Sequence, residues 1–410
     1  MGNRAVPRLL AAAAAIVALS LPGQASAATP APAPKLPAKA AILTVLNTGQ
    51  RLYGRNADEE LPIASATKLM TALVTFQHAS LNDVFTEPNF HFAAVDSQIY
   101  LAPGERMSVH DLMVAMLVPS ADDAAKDLAY NVGGHSVARF VAMMNQSARK
   151  LGLTHTHYST PIGLDTPGNF SSASDLVKLA GYLLERYPFF AHVVALPRAV
   201  LKTGDHPRSV VSRNDLVARV PWIHGVKTGH TTKAGYVLVA EGRRDGMTLL
   251  SAVLGTPSET ARDSSTLALL DWGYGNFQLA SPLTAGGIVA RPTANGYSNR
   301  HAPVIAARRF SWVVPRGARL RVRLNVPHDV SGPLKRHARV GTARVLDGAR
   351  PVGRVGLVVE RALPGLSPFT AAARFVTRPI TLVVLIVVLA ALAALTARRM
   401  SRRRARSRTA

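Results

Sequence analysis

Apolar and polar positions along this chain change period several times, and each change marks an element. Ala41-Ile42-Leu43-Thr44-Val45-Leu46 is an unbroken apolar run, followed by Asn47-Thr48-Gly49-Gln50 and then Arg51-Leu52-Tyr53-Gly54, which reads as strand, turn and strand. From Leu61 to Phe76 apolar residues recur at helical spacing. Between Ser80 and Phe277 the pattern is mostly helical, with spaced apolar positions over 109–118, 121–132, 137–151 and 173–184, and with turns at 161–165 and 166–168. Strand patterns return at 226–231, 236–241 and 247–254. The last two are joined by Gly242-Arg243-Arg244-Asp245-Gly246, read as a hairpin loop, and Ser258 caps a helix running to about Trp272. Strands at both ends of one domain with helices between them predict an α+β unit, residues 39–277, whose terminal segments share an antiparallel sheet. The helical cluster then forms one wall of a cleft and the sheet the other.

After Phe277 the texture changes to short Val/Leu/Arg alternations, such as Ala318-Arg319-Leu320-Arg321-Val322-Arg323-Leu324, broken by Gly and Pro. This predicts a small all-β domain over 279–363. A linker at 364–378 leads to an apolar stretch at 379–396, long enough to cross a bilayer. Seven arginines and no acid follow, in a basic tail at 397–410. At the other end, Arg4 and Arg8 precede an apolar stretch and Ala25-Ser26-Ala27, the pattern of a cleavable signal peptide over 1–27, with a Pro/Ala/Lys linker at 28–38. Together these predict a single-pass membrane protein with its folded domains on the extracytoplasmic face.

Composition narrows the choice. At 410 residues and 48% hydrophobic the chain can bury two cores, and without cysteine it has neither disulfides nor thiol chemistry. The net charge of +24 invites a nucleic-acid reading, but much of it sits in the terminal tail, and roughly a dozen more Lys/Arg between Arg291 and Arg350 face only Asp329 and Asp347. Outside a membrane such charge meets anionic lipids and acidic wall polymers, so no nucleic-acid partner is expected.

Ser65-Ala66-Thr67-Lys68 places a hydroxyl and an amine three residues apart on one helix face, the geometry of a nucleophile and its base. One S-x-x-K arises about once or twice by chance in a chain of this size. Here it is followed in order by Ser120-Ala121-Asp122, at a junction of two helical segments, and by Lys227-Thr228-Gly229-His230 on a strand whose glycine lets another segment approach closely. The ordered set S-x-x-K, S-x-D, K-T-G is far less frequent than any one of its parts. His155 and His157, two apart after Leu153-Thr154, suit an extended segment better than a metal site, and no H-E-x-x-H occurs, so neither a metal nor another cofactor is expected. His224 reads as packing, Trp222, Trp272 and Tyr274 as core or junction aromatics, and Asp123 as a helix-start acid.

With Met143-Met144-Asn145, Leu151-Gly152-Leu153, Gly163-Leu164, 171–175 and 227–236, these motifs resemble the serine D-alanyl-D-alanine carboxypeptidases, the low-molecular-weight penicillin-binding proteins. The resemblance implies the penicillin-binding, β-lactamase-like transpeptidase fold, and it extends more faintly into the β domain. It implies that Ser65 attacks the carbonyl between two D-alanines of a peptidoglycan stem peptide and forms an acyl-enzyme, with Lys68 as base. Burial and a nearby Lys227 cation would favour the free Lys68 amine. Ser120 would relay a proton to the leaving amine, Lys227 and Thr228 would hold the terminal carboxylate, and the Ser65 and His230 amides would receive the oxyanion beside Gly229. β-Lactams would acylate the same serine.

The family pattern at the second motif is S-x-N, and this chain has Asp122. An amide donates and accepts whereas a carboxylate only accepts, and an ionised Asp122 favours a charged Lys68. Altered rate or selectivity is the expectation. The alternatives are a DD-endopeptidase or β-lactamase on the same fold, the latter weakened by the absence of an E-x-x-L-N stretch, or a wall-binding scaffold with weakened catalysis.

Overall fold

The computed structural model describes residues 29–93, 96–295, 301–365 and 379–406. The signal-peptide segment 1–27 and most of the 364–378 linker lie outside the described residues.

The amino-terminal hairpin forms as the pattern predicts, β1 at Ala40–Val45 and β2 at Arg51–Arg55. Helices follow at α1 (Lys68–His78), α2 (Val109–Leu117), α3 (Asp122–Val132), α4 (Val137–Leu151) and α5 (Ala173–Arg186). The strands return as β3 (Ile223–Thr231), β4 (Gly235–Arg244) and β5 (Met247–Thr256), before α6 (Glu259–Asn276). The sheet order is β2-β1-β5-β4-β3, antiparallel throughout, so the first strand of the domain sits beside its last. Serines start four of the helices: Ser108, Ser136, Ser172 and Ser258 each accept the amide three residues on, which satisfies a donor the helix leaves unpaired.

The continuous apolar character of β1 has a physical cause: the sheet is covered on both faces. Ala40 and Ile42 face the helical cluster with Leu250, Ala252 and Leu254 of β5, whereas Ala41, Leu43 and Val45 face α6 with Leu249 and Val253. The amino-terminal domain is therefore three layers, helices α1–α5, the sheet, and α6. Residues 68–75 of α1 are buried all round, because the other helices and the sheet enclose it.

Several boundaries differ from the sequence expectations. The loop between β4 and β5 is shorter than the five residues read from 242–246: the ladder continues to Arg244 opposite Met247, leaving Asp245 and Gly246 at φ 53° and 73° as a tight turn. Two short hairpins, Val84–Thr86 with Arg106–Ser108 and Arg198–Leu201 with Arg208–Val211, interrupt the span read as helical. Three- and four-residue strands are too short to establish a period.

The β domain begins at Phe277, directly off α6. Its five-stranded sheet includes β6 (Leu320–Asn325), β7 (Arg339–Asp347) and β8 (Arg350–Val359), over a core of Leu283, Val304, Ala306, Phe310, Ala343, Val345, Val355 and Leu357. The Gln50 side chain ties the two domains by donating to the Val313 carbonyl at 3.0 Å and accepting from its amide at 2.7 Å. The last helix, α7, spans Pro379–Arg406 and includes Leu382–Met400, which is long and apolar enough to cross a membrane. It continues through arginines expected to form a separate tail, since straight-chain arginine is a good helix former.

Candidate active site

Ser65 does not start an α-helix as its spacing suggests. It lies in a single 3-10 turn, Ala64–Thr67, that leads into α1, so Lys68 is the first α-helical residue. The turn still brings the pair together: Lys68 Nζ donates to Ser65 Oγ at 2.8 Å. Lys68 is fully buried, and its remaining contacts are the Asp122 Oδ1 at 2.6 Å and the Ile162 carbonyl at 2.9 Å.

Asp122 stands on the first turn of α3, where a carboxylate is favoured by the helix dipole. Its second oxygen accepts the Ser97 amide at 3.1 Å, and its own amide donates to the Ser97 carbonyl. Both carboxylate oxygens are thereby used, one on Lys68 and one on the Ser97 loop. Asp123, its neighbour, accepts the Ile99, Leu101 and Ala124 amides, which is the structural part read from the sequence.

Ser120, between α2 and α3, has φ 69°, and Ala64, just before Ser65, has φ 47°. Non-glycine residues rarely adopt this left-handed conformation, and such strain collects where surrounding structure fixes a functional side chain. Ser120 Oγ accepts from Lys227 Nζ at 2.8 Å. Lys227 is buried in β3; burial, and after it the Lys68 charge, hold its ammonium well below the usual lysine range, with Asp122 opposing. Gly229 lies where β3 crosses the 3-10 turn. A Cβ there would fall 2.9 Å from the Ser65 amide nitrogen and 3.0 Å from Ala64 Cβ, so only glycine lets the strand pass this close.

These residues open into a cleft of about 310 Å³ lined by Ser65, Ser120, Thr228, Gly229 and His230, with the His230 ring stacked on Tyr236 at 4.0 Å between centroids. Lys68, Lys227 and Asp122 lie beneath its surface. The contact of Asp122 with Lys68 is the one that makes its departure from the S-x-N pattern bear on the lysine.

Sequence reasoning missed several lining residues: Ser97, Arg213, Glu259 and Arg262. Ser97 comes from a loop and Arg213 follows a short hairpin, neither with a local motif. Arg262 projects from α6 among Asp215, Glu259 and Asp263, a placement set by packing between distant segments. His155, His157 and His224 stand outside the cleft: the His155 amide donates to Asp175, His157 pairs with Gly168 and Phe170, and His224 is half-buried in β3. Trp222 meets Tyr274 edge-on, and Trp272 meets Phe277 at the domain junction.

Comparison with known proteins agrees with this arrangement. D-alanyl-D-alanine carboxypeptidase DacC of Escherichia coli K12 is 32% identical over 354 residues, covering 82% of this chain and 86% of that protein. The crystal structure of penicillin binding protein 5 from Haemophilus influenzae superposes with a TM-score of 0.65 at 26% identity, over 82% of this chain and 99% of that one. The Streptomyces K15 DD-transpeptidase superposes with a TM-score of 0.57 at 29% identity, over 60% of this chain and all of that one. The D-alanyl-D-alanine carboxypeptidase family, Peptidase S11, matches residues 26–258. That match spans the hairpin, the helical cluster and all three motif-bearing segments, so the chain belongs to the D-alanyl-D-alanine carboxypeptidase family of serine peptidases.

Proposed function

We propose that this chain removes the terminal D-alanine from peptidoglycan stem peptides through an acyl-enzyme on Ser65, and that penicillins acylate the same serine. The observation that carries the reading is the 2.8 Å contact of a fully buried Lys68 with Ser65 at the floor of an open cleft. In the working form the Lys68–Asp122 pair has given up a proton, and the Lys68 amine takes the hydroxyl proton as Ser65 Oγ attacks the carbonyl carbon. The oxyanion forms against the Ser65 and His230 amides. As the C–N bond breaks, the leaving D-alanine amine takes a proton through Ser120, which Lys227 orients. Water then hydrolyses the ester and returns the serine. Arg213, the Thr228 hydroxyl and the Lys227 amine offer donors to the substrate's terminal carboxylate, whose negative charge in turn favours the ammonium form of Lys227.

The domain limits follow the same reading: signal peptide 1–27, catalytic unit 39–277, a β-rich domain to 363, and a single membrane span within α7 that leaves the cleft on the extracytoplasmic side. Labelling with a fluorescent penicillin tests the nucleophile. A covalent adduct on the parent protein that is lost in Ser65→Ala is expected, and no adduct on the parent would favour a scaffold. Products from a pentapeptide and from a cross-linked dimer then test the bond cut. Free D-alanine from the pentapeptide is expected, and faster cleavage of the dimer would make the enzyme an endopeptidase.

A further inference from the structure

The outer face of the β domain carries a cation array that the catalytic reading does not use. Alternate residues of β7 and β8 fill the core, Ala343 and Val345 on one and Val355 and Leu357 on the other. The residues between them point outward. Arg323 on β6 is in register with Arg344 on β7, which is in register with Arg354 on β8. Neighbouring strands are about 4.8 Å apart, so three guanidinium groups form a row roughly 10 Å long across the sheet. Arg321 extends the same face along β6, and Arg339 reaches over it, its Nε 3.9 Å from where a Gly356 side chain would begin.

All five arginines are exposed, and among the described residues none of them forms an ion pair. Asp347, at the hairpin end, is the only acid in the three strands. Like charges directly opposite one another on a sheet repel. An array that stacks them in register is therefore unfavourable alone and is relieved by an anionic ligand.

We infer that this face binds a linear polyanion bearing phosphate groups. The residue type favours phosphate, because guanidinium forks pair bidentately with its oxygens. A polymer suits the face better than a bilayer. The next row on the same face is Asn325, Thr342 and Gly356, which has no aromatic or long aliphatic side chain to enter lipid. Resting on the proposed function, the face then holds the enzyme along a phosphate-bearing polymer while the cleft, in the other domain, works on a neighbouring peptidoglycan stem peptide.

The test uses the full chain in a nonionic detergent and labelled inorganic polyphosphate, read by fluorescence anisotropy. Arg323→Gln/Arg344→Gln/Arg354→Gln is expected to weaken binding at least about tenfold near 50 mM salt. It is also expected to flatten the plot of log affinity against log salt by about two to three units, since each lost cation removes nearly one released counterion. D-alanine release from a soluble pentapeptide stays at the parental rate. Parental binding by the triple variant overturns the proposal. The corresponding triple Arg→Lys variant keeps the charge and loses the forks, so it should fall between the two, and equality with the parent overturns the assignment to phosphate recognition. Hydrogen exchange on the unmodified protein should show polyphosphate protecting 320–325, 339–347 and 350–359. Protection of these strands in phosphatidylglycerol nanodiscs but not by polyphosphate would assign the face to the lipid surface instead.

Discussion

Two regions of this molecule concentrate positive charge, and they treat it in opposite ways. In the cleft, Lys68 and Lys227 are buried, and each is held by hydrogen bonds to a serine and to further oxygen atoms. On the β domain, five arginines are exposed and face no acid. Burial makes every charge in the cleft strongly dependent on its neighbours, because there is little water to screen it. Exposure leaves the arginines screened, so their mutual repulsion is small. Buried charge can thus be tuned for chemistry by one contact, whereas exposed charge acts only in number, on a ligand large enough to meet several groups.

The sharpest way to break the comparison is at the nucleophile. Ser65→Ala is expected to cut D-alanine release by a factor on the order of a thousand or more while leaving the melting temperature near the parental value, because the cleft's chemistry converges on one hydroxyl. Release within tenfold of the parent would put the chemistry elsewhere.

A smaller effect is expected at Asp122. Asp122→Asn keeps the size of the side chain and replaces the carboxylate held 2.6 Å from Lys68 Nζ by a neutral amide. It is expected to raise kcat/KM for D-alanine release from a pentapeptide by about tenfold. An unchanged kcat/KM would remove Asp122 from the chemistry.

Asp127 gives a third test on buried charge. Burial, and after it the nearby Glu87 carboxylate, push its pKa up to about 7, against the hydrogen bond from Asn131. The folded state then holds a proton that the unfolded chain releases near pH 4. Asp127 consequently loses stability as pH rises from about 4 to 7 and contributes no further change above that. Asp127→Asn should match the parent near pH 4 and exceed it by about 1–3 kcal/mol at pH 8, measured by chemical denaturation at both values. An equal difference at both pH values would mean that Asp127 does not titrate in this range.

The exposed array should respond least. Arg344→Gln alone is expected to leave stability unchanged or to raise it by up to about 0.5 kcal/mol, as it removes the middle cation of an in-register row. A loss above about 1 kcal/mol in thermal denaturation would show that the arginine packs rather than waits for a ligand.

Some of this was legible without coordinates because it depends on neighbours in sequence. The continuous apolar β1, the Ser258 cap, the helices over 109–117 and 137–151 and the Arg-flanked terminal helix all follow from local periods and local hydrogen bonds. The order S-x-x-K, S-x-D, K-T-G named Ser65, Lys68, Ser120, Asp122 and 227–230 because each motif sits where its own segment starts or crosses. Other features were set by contacts between distant segments. The 3-10 turn at Ser65 lies directly against β3 at Gly229, more than 160 residues away, a contact no local pattern shows. Ser97, Arg213 and Arg262 reach the cleft only once three separate segments converge. Asp122 was visible as a departure from a pattern, but its occupation by Lys68 and the Ser97 amide, and the arginine row across β6, β7 and β8, depend on strand register and helix packing. Sequence fixes which groups are present and their period along one segment; the distances that make them a base, a counter-charge or an array arise between segments, where only packing sets them.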